Sequence, residues 1–218
     1  MTVASNSRRK ILDRVRAATG VGGDTNSAYR GLLRNYVRSG KLSEADRLAL
    51  MIERLREYDA EVVETEPGKL AATIATQLEA GGKRRFVVPE GLPAGWLANG
   101  FEWKIDRNLS SEEIESCEGV MTGAFCGIAD SGTIVLHHSE REGRRVISLL
   151  PDWHLCILNA SQVVETLPEY FARCDRPPQL ATYISGPSAT ADIEMTRIKG
   201  VHGPRFLNVI VVRDMAHN

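Results

Sequence analysis

The stretch Glu61-Val-Val-Glu-Thr-Glu-Pro-Gly-Lys-Leu-Ala-Ala-Thr-Ile-Ala-Thr-Gln-Leu-Glu-Ala-Gly-Gly-Lys-Arg-Arg-Phe-Val-Val88 decides the fold class. It begins with a short β-type run at residues 61–64 and continues with Leu70, Ile74 and Leu78 at helical spacing. A second β-type run follows at residues 85–88. Strand, helix and strand in such quick succession need a crossover connection, and repeated crossovers build a largely parallel sheet with helices on its faces. The fold class is therefore α/β, a central, mostly parallel sheet flanked by helices.

Downstream the same grammar continues. Phe101-Glu-Trp-Lys-Ile105 alternates as a strand, and Ser110-Ser-Glu-Glu113 is a capping box that opens a brief helix. The glycine-rich apolar segment over residues 119–129 meets Ile134-Val-Leu136 across Asp130-Ser131-Gly132, which predicts one buried hairpin. Strands follow at residues 154–158, 181–185 and 208–213, with a helix over 161–171 carrying Val164, Leu167, Tyr170 and Phe171.

Upstream the pattern is helical. Ser7 caps a first helix bearing Ile11, Leu12, Val15 and Ala18, and Gly20-Val-Gly-Gly23 ends it. A second helix is predicted over 27–38. A third runs from the N-cap Ser43, with Leu48, Met51, Ile52, Leu55 and Tyr58 on one face. The reading gives a helical extension over residues 1–59 and an α/β domain over 60–218.

Charge limits the partners. The 27 basic and 28 acidic residues leave a net charge of -1, so the chain as a whole has no pull toward nucleic acid or an anionic membrane. The distribution is uneven, because residues 1–41 are basic and residues 42–120 acidic. A basic arm can meet an acidic partner, although scattered arginines more often line a solvated helix face. No apolar run has the length of a membrane helix, and the basic Arg8-Arg9-Lys10 leads into no apolar core of a signal peptide. A cytoplasmic protein is expected.

Cys117, Cys126, Cys156 and Cys174 form no CxxC pair, so neither zinc nor an iron–sulfur cluster is expected in the chain itself. His137 and His138 are adjacent and would point to opposite faces of a strand, which argues against a shared metal.

The chemistry concentrates in Ile184-Ser-Gly-Pro-Ser-Ala-Thr-Ala-Asp-Ile-Glu194. Gly, Pro and hydroxyl residues after an apolar run describe a strand passing into a loop. Such a loop offers backbone N–H groups with the Ser185, Ser188 and Thr190 hydroxyls, suited to a carboxylate or phosphate at a helix start. In open α/β sheets that position lies outside the carboxyl ends of the strands. The plainer alternative is that Ser188 or Thr190 caps a short helix and Gly186-Pro187 turns the chain. Gly200-Val-His-Gly-Pro-Arg205 adds His202 as an acid/base group, Gly203 in a turn, and Arg205 as a carboxylate clamp, or else a turn histidine and a surface ion pair. Asp130 and Thr133 at the hairpin tip, and the pair Arg144-Arg145, are further candidates for an anion, each with an ordinary turn or charged-loop explanation.

Three pieces together resemble the lactate utilization protein C family, the LUD domain. They are Gly127-Ile-Ala-Asp-Ser-Gly-Thr-Ile-Val-Leu136, Ser148-Leu-Leu-Pro-Asp-Trp-His154, and residues 184–194 running into 200–205. The resemblance covers the second half of the chain. It implies a fold of the sugar-phosphate isomerase and CoA-transferase superfamily (NagB/RpiA/CoA transferase-like). It also implies a role in oxidising L-lactate to pyruvate beside two iron–sulfur proteins. Those partners would hold the clusters, and this chain would be the cluster-free member, a subunit of an oxidoreductase system. Carried onto this sequence, the site residues are Ser185, Gly186, Ser188, Thr190, Asp192 and Glu194 with His202, Gly203 and Arg205. Ser131 stands where the family hairpin often has threonine, and Ala189 leaves a variable loop position uncharged. The alternative is a stand-alone enzyme of that superfamily, acting on a phosphorylated, CoA-linked or folate-like substrate, with Glu194 or Asp192 as nucleophile or base and His202 as acid/base. Self-association stays open in either case.

Overall fold

The computed structural model describes residues 3–19, 25–176, 178–191, 197–199 and 203–213. The chain divides into two compact units, Met1–Tyr36 and Val37–Asn218. The first holds α1 (Val3–Thr19) and α2 (Thr25–Arg30). α1 begins ahead of the expected cap at Ser7 and leaves Ile11, Leu12 and Val15 exposed. α2 stops far short of residue 38 for a local reason. The Arg34 guanidinium donates to the carbonyls of Tyr29 and Leu32 at 3.1 and 3.4 Å and lies over the Tyr29 ring. Carbonyls that another helical turn would have used are satisfied by a side chain.

The second unit runs α3 (Glu44–Glu57), β1 (Glu61–Thr65), α4 (Leu70–Ala80), β2 (Arg85–Pro89), β3 (Glu102–Asp106), α5 (Ser111–Glu115) and β4 (Gly119–Gly123). It continues through β5 (Cys126–Ile128), β6 (Thr133–Leu136), β7 (Trp153–Asn159), β8 (Val163–Val164), α6 (Leu167–Ala172) and β9 (Thr182–Ile184). β10 (Ala189–Ala191), β11 (Arg197–Lys199) and β12 (Phe206–Val212) complete it. α3 starts at the expected cap, with the Ser43 hydroxyl accepting from the Asp46 N–H, and buries Leu48, Met51, Ile52 and Leu55. Burial of such side chains contributes about 1.5–3 kcal/mol each. α3 therefore belongs to the α/β body, and the boundary falls between Tyr36 and Val37, not at residue 60.

Six strands form one sheet in the order β1-β12-β7-β4-β2-β3, and every pairing in it is parallel. On one face α4 packs Leu70, Ile74 and Leu78 against Phe86, Met121, Leu155, Ile157 and Ile210. On the other, α3 packs with Cys156, Leu158, Leu207, Val209 and Val211, and with Ile134, Leu136 and Val163 of a second sheet. That second sheet has the order β8-β5-β6-β9.

Two expectations change here. Residues 119–129 are not one arm of a hairpin: β4 sits inside the parallel sheet, and the chain crosses at Ala124-Phe125 into β5, which pairs antiparallel with β6. Both strands are wholly buried, so the apolar run carries no sign of the crossing. At the turn, Gly132 has φ 58, and a Cβ there would come within 2.9 Å of the Arg54 backbone. The helix expected over 161–171 is only α6. Val163 and Val164 are taken by β5 in parallel pairing, and Thr166 caps the helix with Glu169 in a capping box.

Candidate functional site

A cavity of about 440 Å³ opens where β9, the turn after it and the starts of β7 and β12 converge. Its lining includes Ser185, Gly186, Ser188 and Gly203, so four of the residues singled out from sequence face one space. The two glycine and proline loops meet there, the Ser188 N–H donating to the Pro204 carbonyl at 2.8 Å. Gly186 makes the approach possible. Its φ is +85, and a Cβ would lie 2.7 Å from the Tyr58 carbonyl oxygen, a position that only glycine occupies without strain.

The placement differs from the expected one. His154 and Leu207 line the cavity and stand opposite each other, each the second residue of its strand. The cavity therefore lies at the amino-terminal ends of β7 and β12, not at the carboxyl ends of the parallel sheet. The cause is topological: β9 belongs to the second sheet, antiparallel to β6, so the loop after it returns to the opposite end. Nor does a helix start there. Residues 189–191 form β10, paired with β11, and the Ser188 N–H is already used by Pro204.

Other candidates have separate fates. Arg205 is clamped on Asp152, with Nε and Nη2 donating to the two carboxylate oxygens at 2.5 and 2.9 Å. The guanidinium holds the Asp152 carboxyl below its usual range against the effect of burial. Arg144 donates likewise to Asp106. Burial works to raise the Asp106 carboxyl, but Arg144 and the Leu109 N–H outweigh it. Arg145, the second member of that pair, lines the cavity instead and has no ion-pair partner among the described residues. Asp130 is exposed at the hairpin tip, its carboxyl pushed upward by burial and then by Glu165 and Glu169. Thr133 joins Ser131 and Ser185 in a hydroxyl chain at 2.7 and 2.8 Å, which fixes Ser185. Thr190 lies in β10 opposite Ile198. Asp192, Glu194 and His202 lie outside the described residues.

Sequence reasoning did not single out His154, Thr122 or Thr182 as site residues. His154 is 1% exposed and borders the cavity, and its Nε2 lies 2.8 Å from the buried Thr122 hydroxyl. Burial lowers its pKa to about 4, so the ring is neutral at neutral pH. The signal in the sequence was one basic residue, the second of the otherwise apolar Trp153-His-Leu-Cys-Ile-Leu158. Thr182, on the cavity wall, is 2.7 Å from His138 Nε2, while His138 Nδ1 donates to the Gly143 carbonyl. His137 turns elsewhere, stacking on Phe125 and reaching the Tyr170 hydroxyl at 2.8 Å. The two histidines diverge because β6 ends at Leu136 and His138 has φ 57. Burial pushes the Cys126 and Cys156 thiols up to about 11 and about 12, so neither is a reactive thiolate. No helix among the described residues is long and apolar enough to cross a membrane.

Fold and cavity together define a parallel α/β protein with a pocket of mixed polar and apolar lining built where a second sheet leans on the first. The LUD domain family matches residues 92–212, and the chain belongs to that family. It is 41% identical to lactate utilization protein C of Deinococcus radiodurans over 81% of this chain and 84% of that one. It is 31% identical to lactate utilization protein C of Geobacillus thermodenitrificans over 79% and 80%. The crystal structure of a DUF162 family protein from Deinococcus radiodurans superposes with a TM-score of 0.66 at 36% identity, covering 79% of this chain and 99% of that chain.

Proposed function

We propose that this protein is a cytoplasmic, cluster-free component of L-lactate oxidation to pyruvate that holds a small carboxylate in the pocket beside His154, while two iron–sulfur proteins carry the electrons. The observation that carries the reading is Arg145. Arg144 and Arg205 are each paired with a carboxylate, Asp106 and Asp152, whereas Arg145 lines the cavity and has no ion-pair partner among the described residues. A cation beside hydroxyls in a pocket of this size suits a small anion. The relatives named lactate utilization protein C support a place in lactate utilization.

The test is reconstitution. Mixed with the two iron–sulfur proteins, the chain should be required for lactate-dependent reduction of an electron acceptor, and Arg145→Ala should lower that activity at least tenfold. Equal turnover by the iron–sulfur pair without this chain would overturn the role.

A further inference from the structure

Residues 1–41 hold nine Lys and Arg against two Asp, and no carboxylate stands between Thr25 and Ser43. From this arm we propose that the protein docks on the surface of an anionic phospholipid membrane. The cations meet headgroup phosphates, and apolar side chains of α1 and of the turn after α2 enter the headgroup layer. In α1, Ile11, Leu12 and Val15 are exposed. Arg8, Arg9, Lys10 and Arg14 have no ion-pair partner among the described residues, whereas Arg16 pairs with Asp13. After α2, Leu32 is 58% and Leu33 87% exposed, and Tyr29 is exposed as well. In α3, by contrast, side chains of the same kind are buried. A helix of 17 residues with its apolar side chains in water is only marginally stable, so the arm calls for a covering surface.

Two features favour a lipid surface over an acidic protein groove or a nucleic acid. The first is distribution. Ile11 and Leu12 stand between Arg8-Arg9-Lys10 and Arg14, and Leu32 and Leu33 between Arg30 and Arg34. A groove takes one helix face with anchors at helical spacing, and a phosphodiester backbone offers nothing to leucine. Headgroups and acyl chains together accept both kinds of side chain. The second is the backbone of the turn. The Gly31 N–H donates to the Ser27 carbonyl at 3.0 Å and the Leu32 N–H to the Tyr29 carbonyl at 3.4 Å. The Arg34 guanidinium covers the Tyr29 and Leu32 carbonyls. Backbone groups leaving water need such internal partners, so Leu32 and Leu33 enter the layer without stranding those carbonyls. The balanced charge of the whole chain does not oppose this, because attraction to a charged surface fades within a Debye length and is set by the residues nearest it. Docking by the arm is independent of what the pocket holds.

Co-sedimentation of the full chain with vesicles tests the docking. Binding to vesicles of phosphatidylglycerol mixed with phosphatidylcholine should exceed binding to pure phosphatidylcholine by about tenfold or more and fall steeply with added salt. Arg8→Glu combined with Arg9→Glu should weaken it by about tenfold or more, since each cation near an anionic surface contributes about fivefold. Leu32→Ser combined with Leu33→Ser should weaken it by a similar factor. Both leucines are exposed, so circular dichroism and thermal melting of that variant should match the wild type. Equal binding to the two vesicle types would overturn the proposal. So would no binding to the anionic vesicles, which would leave an acidic partner protein as the arm's occupant. Weakening by the arginine pair with none by the leucine pair would reduce docking to loose electrostatic adsorption and overturn the insertion of the turn.

Discussion

At the scale of single residues, the sequence made the loops legible and hid the floor beneath them. Ser185, Gly186, Ser188 and Gly203 announce themselves as turn and hydroxyl chemistry, and they do share one cavity. His154 and Thr122 are 32 residues apart and meet only through the pairing of β4 with β7, which no local pattern encodes. Two predictions belong here. His154 is neutral and buried, with a pKa of about 4 against an ordinary 6.5, so the unfolded chain takes up its proton first as pH falls. Stability from this group is complete above pH 6.5 and is lost on the way down to 4. It should drop by about 2 kcal/mol from about pH 7 to about pH 5. Urea unfolding at the two pH values should show that loss in the wild type and a smaller one in His154→Gln. The second concerns Gly186→Ala, where both the left-handed φ and the Tyr58 backbone oppose a methyl group. It should cost more than about 2 kcal/mol, against about 1 kcal/mol for Gly82→Ala, whose φ of +64 comes with open space. Thermal melting of the two variants checks the difference.

At the scale of elements, helices that bury one face and crossovers that alternate with strands were the readable parts. α3, α4, β1 and β2 stand where the spacing of Leu48, Leu55, Leu70, Ile74, Val62 and Val87 put them. Elements without a periodic signal were not readable. β4 and β5 are buried on both faces and give one unbroken apolar run, and β8 is two valines that also fit a helix. β10 is Ala-Thr-Ala, in which the alanines favour helix and the threonine favours strand, so local preference points two ways. A prediction at this scale concerns the join between β3 and the turn at Arg145–Ser148. Arg144 reaches across to Asp106, whose side chain is only 2% exposed, so Arg144→Ala strands a buried carboxylate and should destabilise by about 3 kcal/mol. Arg145→Ala should change stability by less than about 0.5 kcal/mol. Paired chemical denaturation curves would separate a structural arginine from one that serves a ligand, although the two are neighbours in sequence.

At the scale of the whole molecule, the two units differ in how much they bury. β12 lies between β1 and β7 with every residue from Leu207 to Val212 covered, whereas the described side chains of α1 and α2 are exposed. Hydrogen exchange should therefore find the β12 and β7 amides opening only with global unfolding and the α1 amides exchanging many times faster. Equal protection in both places would contradict that division. The position of β12 also bears on how the protein is born. β1 and β7 are neighbours only through a strand that the ribosome delivers more than forty residues after β7 and some one hundred and forty after β1. Until then the growing sheet has a slot one strand wide, with unpaired N–H and C=O groups along both of its sides. Whatever occupies that slot first decides whether the newborn chain closes on itself or borrows a strand from a neighbour on the same message.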